Sequence, residues 1–114
     1  MENCLFCRII NGEIPSQKVY EDEACYAFRD INPQASVHVL ILPKKHVGGL
    51  NELEDLNDGE LSACLRAVHH VALEEGIQQS GYRLVSNCGP DACQSVEHLH
   101  FHLLGGRKLS EEMG

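Results

Sequence analysis

Apolar residues recur along this chain with two periods, and each period predicts a type of secondary structure. Alternation over residues 17–30 predicts a β-hairpin, and the apolar run at 37–42 predicts a buried strand that Pro43 ends. Two further strands are predicted at 81–87 and 96–104, separated by a loop rich in turn-forming residues.

The helical period is clearest over residues 58–75. Asn57 followed by Glu60 resembles a capping box, and Gly76 is a suitable C-terminal stop. A second, short helix is predicted over residues 5–10 (LFCRII), which Asn11-Gly12 would end. The apolar stripe of the long helix consists of Leu61, Cys64, Leu65, Val68 and Ala72. One long helix with mostly antiparallel strands predicts an α+β fold.

Length and charge narrow the class of protein. The 114 residues fit a single domain, 1–114, and the net charge of -8 argues against binding a nucleic-acid polymer. Neither a secretory signal nor a membrane-spanning run is present, so we expect a cytoplasmic protein without membrane partners. Cysteines of such a protein are expected to be reduced, buried or metal-bound rather than paired as disulfides.

The segment from His98 to Leu104 carries the strongest chemical signal. His98, His100 and His102 alternate with apolar residues, so in a strand their imidazoles share one face. A neutral imidazole is a nucleophile toward phosphorus and also a general acid–base, and neighbouring imidazoles lower one another's pKa. Two other interpretations stay open, a histidine-rich polar face and a three-histidine metal site.

The same segment is similar to the motif of the histidine-triad family. Residues 4–15, 28–33 and 38–46, together with Gln94-Ser95-Val96, resemble other blocks of that family, in particular its nucleoside phosphoramidase branch. The resemblance implies a five-stranded antiparallel sheet with one long and one short helix. It also implies a homodimer in which the two sheets join.

The resemblance further implies hydrolysis of purine nucleoside phosphoramidates, or of acyl- or aminoacyl-nucleotides, through a covalent nucleotidyl-histidine. His100 would be the nucleophile. His102 and Ser95 would contact the phosphate and help to protonate the leaving group, and His38 would face the phosphate, with His98 as an orienting neighbour.

The nucleotide itself would be held by residues from several blocks. Asp30 would accept hydrogen bonds from the ribose hydroxyls. Asn87, Gln94, Ser95 and Val96 would lie at the phosphate. An apolar slot for the base would be formed by Leu5, Phe6, Ile9, Phe28 and Ile31.

The Cys4-x-x-Cys7 pair raises the question of a metal. An isolated CxxC is a weak signal, and two semi-buried thiols without metal are the simpler interpretation. Some relatives bind structural zinc with this pair and two histidines, and the matching positions here are His46 and His98. Zinc would not be needed for catalysis.

Two departures limit the resemblance. Cys93 stands where the eukaryotic branch has glycine before the Gln-Ser pair, and the C-terminal Trp-Pro-Pro-Gly tail of that branch is lacking. The leaving-group specificity of that branch is therefore not carried over. Three alternatives remain: a dinucleoside polyphosphate hydrolase, against which His102 argues, a nucleotide-binding interaction module with vestigial activity, and a metal-centred hydrolase.

Overall fold

Seven elements build the fold, as a computed structural model that describes residues 3–112 shows. They are α1 (Leu5–Ile10), β1 (Lys18–Glu21), β2 (Cys25–Arg29), β3 (Val37–Pro43), α2 (Asp58–Glu74), β4 (Tyr82–Val85) and β5 (Phe101–Gly105). Two short 3₁₀ turns lie at Leu50–Asp55 and Pro90–Ala92. The strands form one antiparallel sheet in the order β1-β2-β3-β5-β4, which confirms the predicted fold. The extreme ends of the predicted domain, 1–2 and 113–114, lie outside the described residues.

Both faces of the sheet are covered. Helix α2 packs on one face, where alternate residues of the central strands, such as Ala27, Val39 and Leu103, are fully buried. Helix α1 packs on the other face, against Phe28 and Leu40. Strands β2 and β3 are therefore apolar at nearly every position, because a strand covered on both faces shows no alternation.

The ends of α2 form as predicted. The side chain of Asn57 accepts the backbone N–H of Glu60, and the Glu60 carboxylate accepts the backbone N–H of Asn57. At the other end Gly76 has a φ of +71°. The N–H groups of Gly76 and Ile77 bond back to the last turn of the helix in a Schellman arrangement.

The predicted apolar stripe of α2 is wrong at Leu65, which is 51% exposed. Cys64, Val68 and Ala72 are fully or almost fully buried as expected, whereas Leu61 is half-buried. Ala67 and Val71 complete the buried face instead, since the helix rests on the sheet through its small side chains.

The last strand is shorter than the predicted 96–104, because β5 begins only at Phe101. In β3 the N–H and C=O groups of the odd-numbered residues point toward β5. The hydrogen-bond ladder between these two strands ends at the pair Ile41–Phe101. Pro43 is next in that series and has no N–H to donate. The N–H of Leu99 bonds the carbonyl of Val47 instead (2.7 Å). His98 and His100 therefore lie just before the ladder.

Strand β4 also ends earlier than the predicted 87, at Val85. The hydroxyl of Ser86 donates to the carbonyl of His100 at 2.8 Å and replaces a ladder bond there. Among the described residues, no helix has both the length and the apolar character of a membrane span.

Candidate active site and metal centre

Sheet register places the histidines among their neighbours on the α1 face. One row of paired residues crosses four strands and consists of Phe28, Leu40, His102 and Val85. The row beside it begins at Asp30, whose N–H bonds the carbonyl of His38, and continues through Leu104 to Arg83. His38 and His102 are thus diagonal neighbours on adjacent strands.

Side chains continue to alternate between the two faces of the sheet through the histidine segment, although the hydrogen-bond ladder between β3 and β5 begins only at Phe101. Leu99, Phe101 and Leu103 are buried in the core beneath α2, as predicted. The rings of His100 and His102 lie on the opposite side with their centres 5.1 Å apart.

His100 is held in one tautomer by its own backbone neighbourhood. Its Nδ1 donates to the carbonyl of His98 at 2.6 Å, which leaves a lone pair on Nε2. No side-chain nitrogen or oxygen of the described residues is both fully buried and without a hydrogen bond. Among the residues described, Nε2 of His100 makes no hydrogen bond. Since no buried side-chain nitrogen of these residues lacks a hydrogen bond, this atom must be accessible at the surface, where its lone pair is available as a nucleophile.

A chain of hydrogen bonds also fixes the tautomers of the other two histidines. The backbone N–H of Gln34 donates to Nδ1 of His38 at 3.0 Å, so the proton of neutral His38 is on Nε2. That N–H donates to Nδ1 of His102 at 2.9 Å. The proton of neutral His102 is therefore on Nε2.

All three imidazoles are biased toward the neutral form. Burial lowers the pKa of His102 to about 4, and the adjacent His100 and His38 add to this shift. Burial likewise lowers the pKa values of His38 and His100. Asp30 opposes each of these shifts, because its carboxylate favours a nearby positive charge.

Asp30 lies at the edge of the histidine cluster. Its Oδ2 is 3.5 Å from Nε2 of His38, and its Oδ1 accepts the backbone N–H of Asn32 at 2.8 Å. The end of β2 that carries Asp30 is held from the other face, where Arg29 forms a bidentate ion pair with Glu75 at 2.7 and 2.9 Å.

The predicted base slot divides into a buried and an exposed part. Phe6, Ile9 and Phe28 are buried together, and the ring of Phe6 meets that of His100 edge-on with centres 5.0 Å apart. Leu5 and Ile31 are 45% and 90% exposed and have room to contact a ligand.

The loop before the histidines is held by Gln94. Its amide oxygen accepts the N–H of Gly89, and its amide nitrogen donates to the carbonyls of Gly48 and Val96. Both polar atoms of this side chain thus hold the loop in place through hydrogen bonds. The predicted contact of Gln94 with phosphate stays a prediction. The adjacent Ser95 is exposed.

Two other predicted phosphate neighbours have different surroundings. Val96 packs against the apolar cluster under α1. Asn87 lines a cavity together with His38 and His102. Their roles toward a nucleotide remain predictions.

A second cluster lies beside the first and consists of the four predicted metal ligands. The ligand atoms of Cys4, Cys7, His46 and His98 all lie within 4.8 Å of one another. The sulfur–nitrogen distances are 3.4 Å for Cys4–His98, 3.6 Å for Cys7–His98 and 3.3 Å for Cys7–His46. Tetrahedral zinc bonds of normal length would separate sulfur and nitrogen ligands by about 3.5 Å.

The protonation states of the histidine and cysteine side chains in this cluster also suit the binding of a divalent cation. Nε2 of His98 donates to the carbonyl of Pro43 at 2.7 Å, so its Nδ1 presents a lone pair to the sulfurs. Burial, together with the adjacent Cys4, raises the pKa of Cys7 to about 11. A bound dication would compensate the two thiolates that burial opposes.

The alternative of a metal bound by His98, His100 and His102 is not supported. Within residues 3–112, two clusters of side chains are close enough together to hold a metal ion. One contains His98 with Cys4, Cys7 and His46, and the other contains Asp30, His38 and His102. Neither contains all three histidines of the triad. Nδ1 of His102 is also occupied by its bond from His38.

Sequence reasoning missed the groups that orient the histidines. The backbone N–H of Gln34 and the carbonyl of Pro43 act through main-chain atoms, which carry no signature in the sequence. Arg83 and Arg107, which line the cavity beside His102, were also not foreseen.

Comparison with known proteins agrees with this geometry. The HIT domain model matches residues 11–109. A 14 kDa zinc-binding protein of Zea mays is 51% identical over 108 residues, covering 93% of this chain and 84% of the relative. The purine nucleoside phosphoramidase of Escherichia coli K12 is 42% identical over 108 residues, covering 95% and 91%.

Among solved structures, a HIT family hydrolase from Clostridium thermocellum superposes with a TM-score of 0.94 at 48% identity. It covers 99% of this chain and 98% of that one. The fold and the histidine site thus define the class of histidine-triad hydrolases. The chain belongs to the HIT domain family.

Proposed function

We propose that this protein hydrolyses purine nucleoside 5′-phosphoramidates, or acyl- or aminoacyl-nucleotides, through a nucleotidyl-His100 intermediate. The observation that carries the proposal is the complementary protonation of two adjacent imidazoles. His100 presents a free lone pair on Nε2, whereas His102 presents an N–H on Nε2. A displacement at phosphorus needs one group of each kind. The relative from E. coli named purine nucleoside phosphoramidase supports the choice of substrate.

In the first step Nε2 of His100 forms a bond to the α-phosphorus. In the substrate complex Nδ1 of His102 takes a proton from solution, and the phosphate and Asp30 compensate the imidazolium charge. The Nε2–H of His38 that this proton displaces turns to Oδ2 of Asp30, which lies 3.5 Å away. As the bond from phosphorus to the leaving nitrogen or oxygen breaks, the leaving atom takes the Nε2 proton of His102.

In the second step a water oxygen attacks phosphorus and the bond from His100 to phosphorus breaks. Nε2 of His102 accepts a proton of that water, and Nδ1 releases its proton to solution as the nucleoside monophosphate leaves, which restores the bond from His38. The two steps together consume one water and no net proton beyond the ionisation of the products. Ser95 and Asn87 contact the phosphate, and Asp30 binds the ribose.

The test is turnover and intermediate trapping with adenosine 5′-phosphoramidate. His100→Ala is expected to lower kcat by at least about 10³-fold, because no nucleophile remains, while the nucleotide still binds. The matched control is His70→Ala, which removes an exposed imidazole from α2. Quenching of the unmodified protein in alkaline denaturant should trap a labelled nucleotide on His100, because a phosphorus–nitrogen bond to imidazole is lost in acid and survives in base. Parental turnover by His100→Ala would refute the mechanism.

Structural zinc at Cys4, Cys7, His46 and His98 is part of the proposal. The distances and the orientation of His98 support it, as does the relative from Zea mays named a zinc-binding protein. When bound, the ion would cross-link α1 to the segment that carries His100.

A homodimer is also part of the proposal. Leu65 and Leu73 are 51% and 48% exposed on α2, and the edge strand β4 exposes Tyr82 and Leu84. An unpaired apolar edge is a natural site for the predicted joining of two sheets. Light scattering of the native chain and of Leu65→Lys tests the proposal: we expect the native chain to be dimeric and the variant to be shifted toward monomer.

A further inference from the structure

A cavity of about 370 Å³ opens beside the histidine cluster on the side away from Asp30. His38 and His102 form part of its lining, and Arg83 and Arg107 form another part. The volume is within the range of small-ligand sites. The cavity therefore combines the reacting groups with two permanent positive charges.

Sheet register gives the cavity a direction. The row that begins at Asp30 passes through His38 and Leu104 and ends at Arg83, three strand spacings or about 14 Å away along the sheet. The proposed ribose contact is at one end of this row. With the ribose at Asp30 and the α-phosphorus at the histidines, a leaving group that continues along this row would extend toward Arg83.

Both guanidinium groups have capacity for a ligand. Arg83 donates to the carbonyl of Ser110, and Arg107 donates to the carbonyls of Gln34 and Lys108. Within residues 3–112 neither arginine forms an ion pair, and the exposed Glu111 and Glu112 on the same tail are not bonded to them. In a chain of net charge -8, two unpaired arginines in one cavity are a local exception.

We propose that this cavity is the leaving-group subsite and that Arg83 and Arg107 select leaving groups with a negative charge. This inference rests on the proposed function. An oxyanion on the leaving group would face the guanidinium donors while the bond to phosphorus stays at His100 and His102. A guanidinium suits this task because its planar donors match carboxylate, sulfate and phosphate oxygens.

The test compares two phosphoramidates of adenosine monophosphate that differ only in charge. One carries β-alanine with its free carboxylate, and the other carries β-alaninamide. The unmodified protein should show a kcat/KM about tenfold higher for the carboxylate substrate, which is what two screened surface ion pairs supply. Raising NaCl from about 50 to about 500 mM should reduce that preference.

Variants assign the preference to the two arginines. The double variant Arg83→Gln/Arg107→Gln should lose it, and Arg83→Lys/Arg107→Lys should retain most of it. Arg66→Gln removes one charge from the exposed surface of α2, on the other face of the sheet, and should retain it fully. A ratio of two substrates in one preparation is independent of the fraction of folded protein.

The outcomes separate the two proposals. Hydrolysis of both substrates with equal kcat/KM, or a preference that survives the double glutamine variant, overturns the subsite and leaves the proposed function standing. If neither substrate is hydrolysed, and an aminoacyl adenylate run beside them is not hydrolysed faster than in buffer, the proposed function is overturned and the subsite with it.

Discussion

Removal of metal from the Cys4, Cys7, His46 and His98 cluster is the perturbation with the widest expected effect. The four residues come from distant parts of the chain, and the ion would join α1 to the loops around His46 and His98. An ion that binds only the folded state stabilises it by about 2.7 kcal/mol when its free concentration is 100 times Kd. Chelation should remove that stabilisation.

The expected shift in melting temperature follows from the size of the domain. With 114 residues, the unfolding entropy is about 0.24 kcal/mol/K, so each kcal/mol shifts Tm by about 4 °C. Zinc at 100 times Kd should therefore raise Tm by about 11 °C. Activity should fall in the chelated protein and recover with zinc, because Phe6 of α1 packs edge-on against the ring of His100.

Scanning calorimetry of metal-free protein with added zinc or magnesium measures this shift, alongside metal analysis of the purified protein. Cys7→Ser should melt at the chelated value and respond little to zinc. Cys93→Ser, which changes an exposed thiol outside the cluster, should behave like the parent. If zinc and magnesium shift Tm equally, or Cys7→Ser keeps the full zinc response, the assignment of the cluster is wrong.

Three further predictions address single residues. His38→Phe removes the N–H that is donated to His102. The value of kcat/KM should fall about 100-fold for a substrate with a basic alkylamine leaving group, but less than tenfold for one whose leaving group is weakly basic and needs little protonation. An equal loss for both substrates would contradict the role of this hydrogen-bond chain. The folded-state pKa of His102, about 4, lies below the ordinary value of 6.5, so the unfolded state binds more protons between these two values. Stability therefore falls as the pH is lowered from 6.5 toward 4. Urea unfolding at pH 7 and 5 should show His102→Gln losing about 2 kcal/mol less than the parent, and parallel losses would disprove this. Cys93 has a φ of +59°, so Cys93→Gly should stabilise the protein by up to about 1 kcal/mol and Cys93→Val should destabilise it; urea midpoints decide, and the opposite order would refute the assignment of strain.

The sequence predicted those features that depend on local pattern. The capping box at Asn57, the stop at Gly76 and the alternation of histidines with Leu99, Phe101 and Leu103 all have a period or a spacing. The grouping of Cys4, Cys7, His46 and His98 came from the family resemblance, because isolated residues so far apart in a chain carry no mutual signal.

The features that sequence reasoning missed depend on tertiary context. Leu65 matches the helical period of buried residues, yet α2 rests on the sheet through Ala67 and Val71. The beginning of β5 depends on which side of β3 the missing N–H of Pro43 faces, and this requires knowledge of the strand register. The cavity beside Arg83 and Arg107 similarly requires the sheet order, since β4 and the C-terminal tail meet only in the folded chain.

One short segment links the two clusters, and this link gives the early end of the ladder a chemical consequence. Because the N–H of Leu99 bonds the carbonyl of Val47, the carbonyl of Pro43 is free to accept Nε2 of His98, which turns Nδ1 toward the cysteines. The carbonyl of His98 in turn accepts Nδ1 of His100 and sets the tautomer of the proposed nucleophile. A metal at the cysteines would thus act on His100 through the position of the His98 backbone and through Phe6, and not through charge at phosphorus. Ions of different Lewis acidity that restore the same Tm should therefore restore the same kcat.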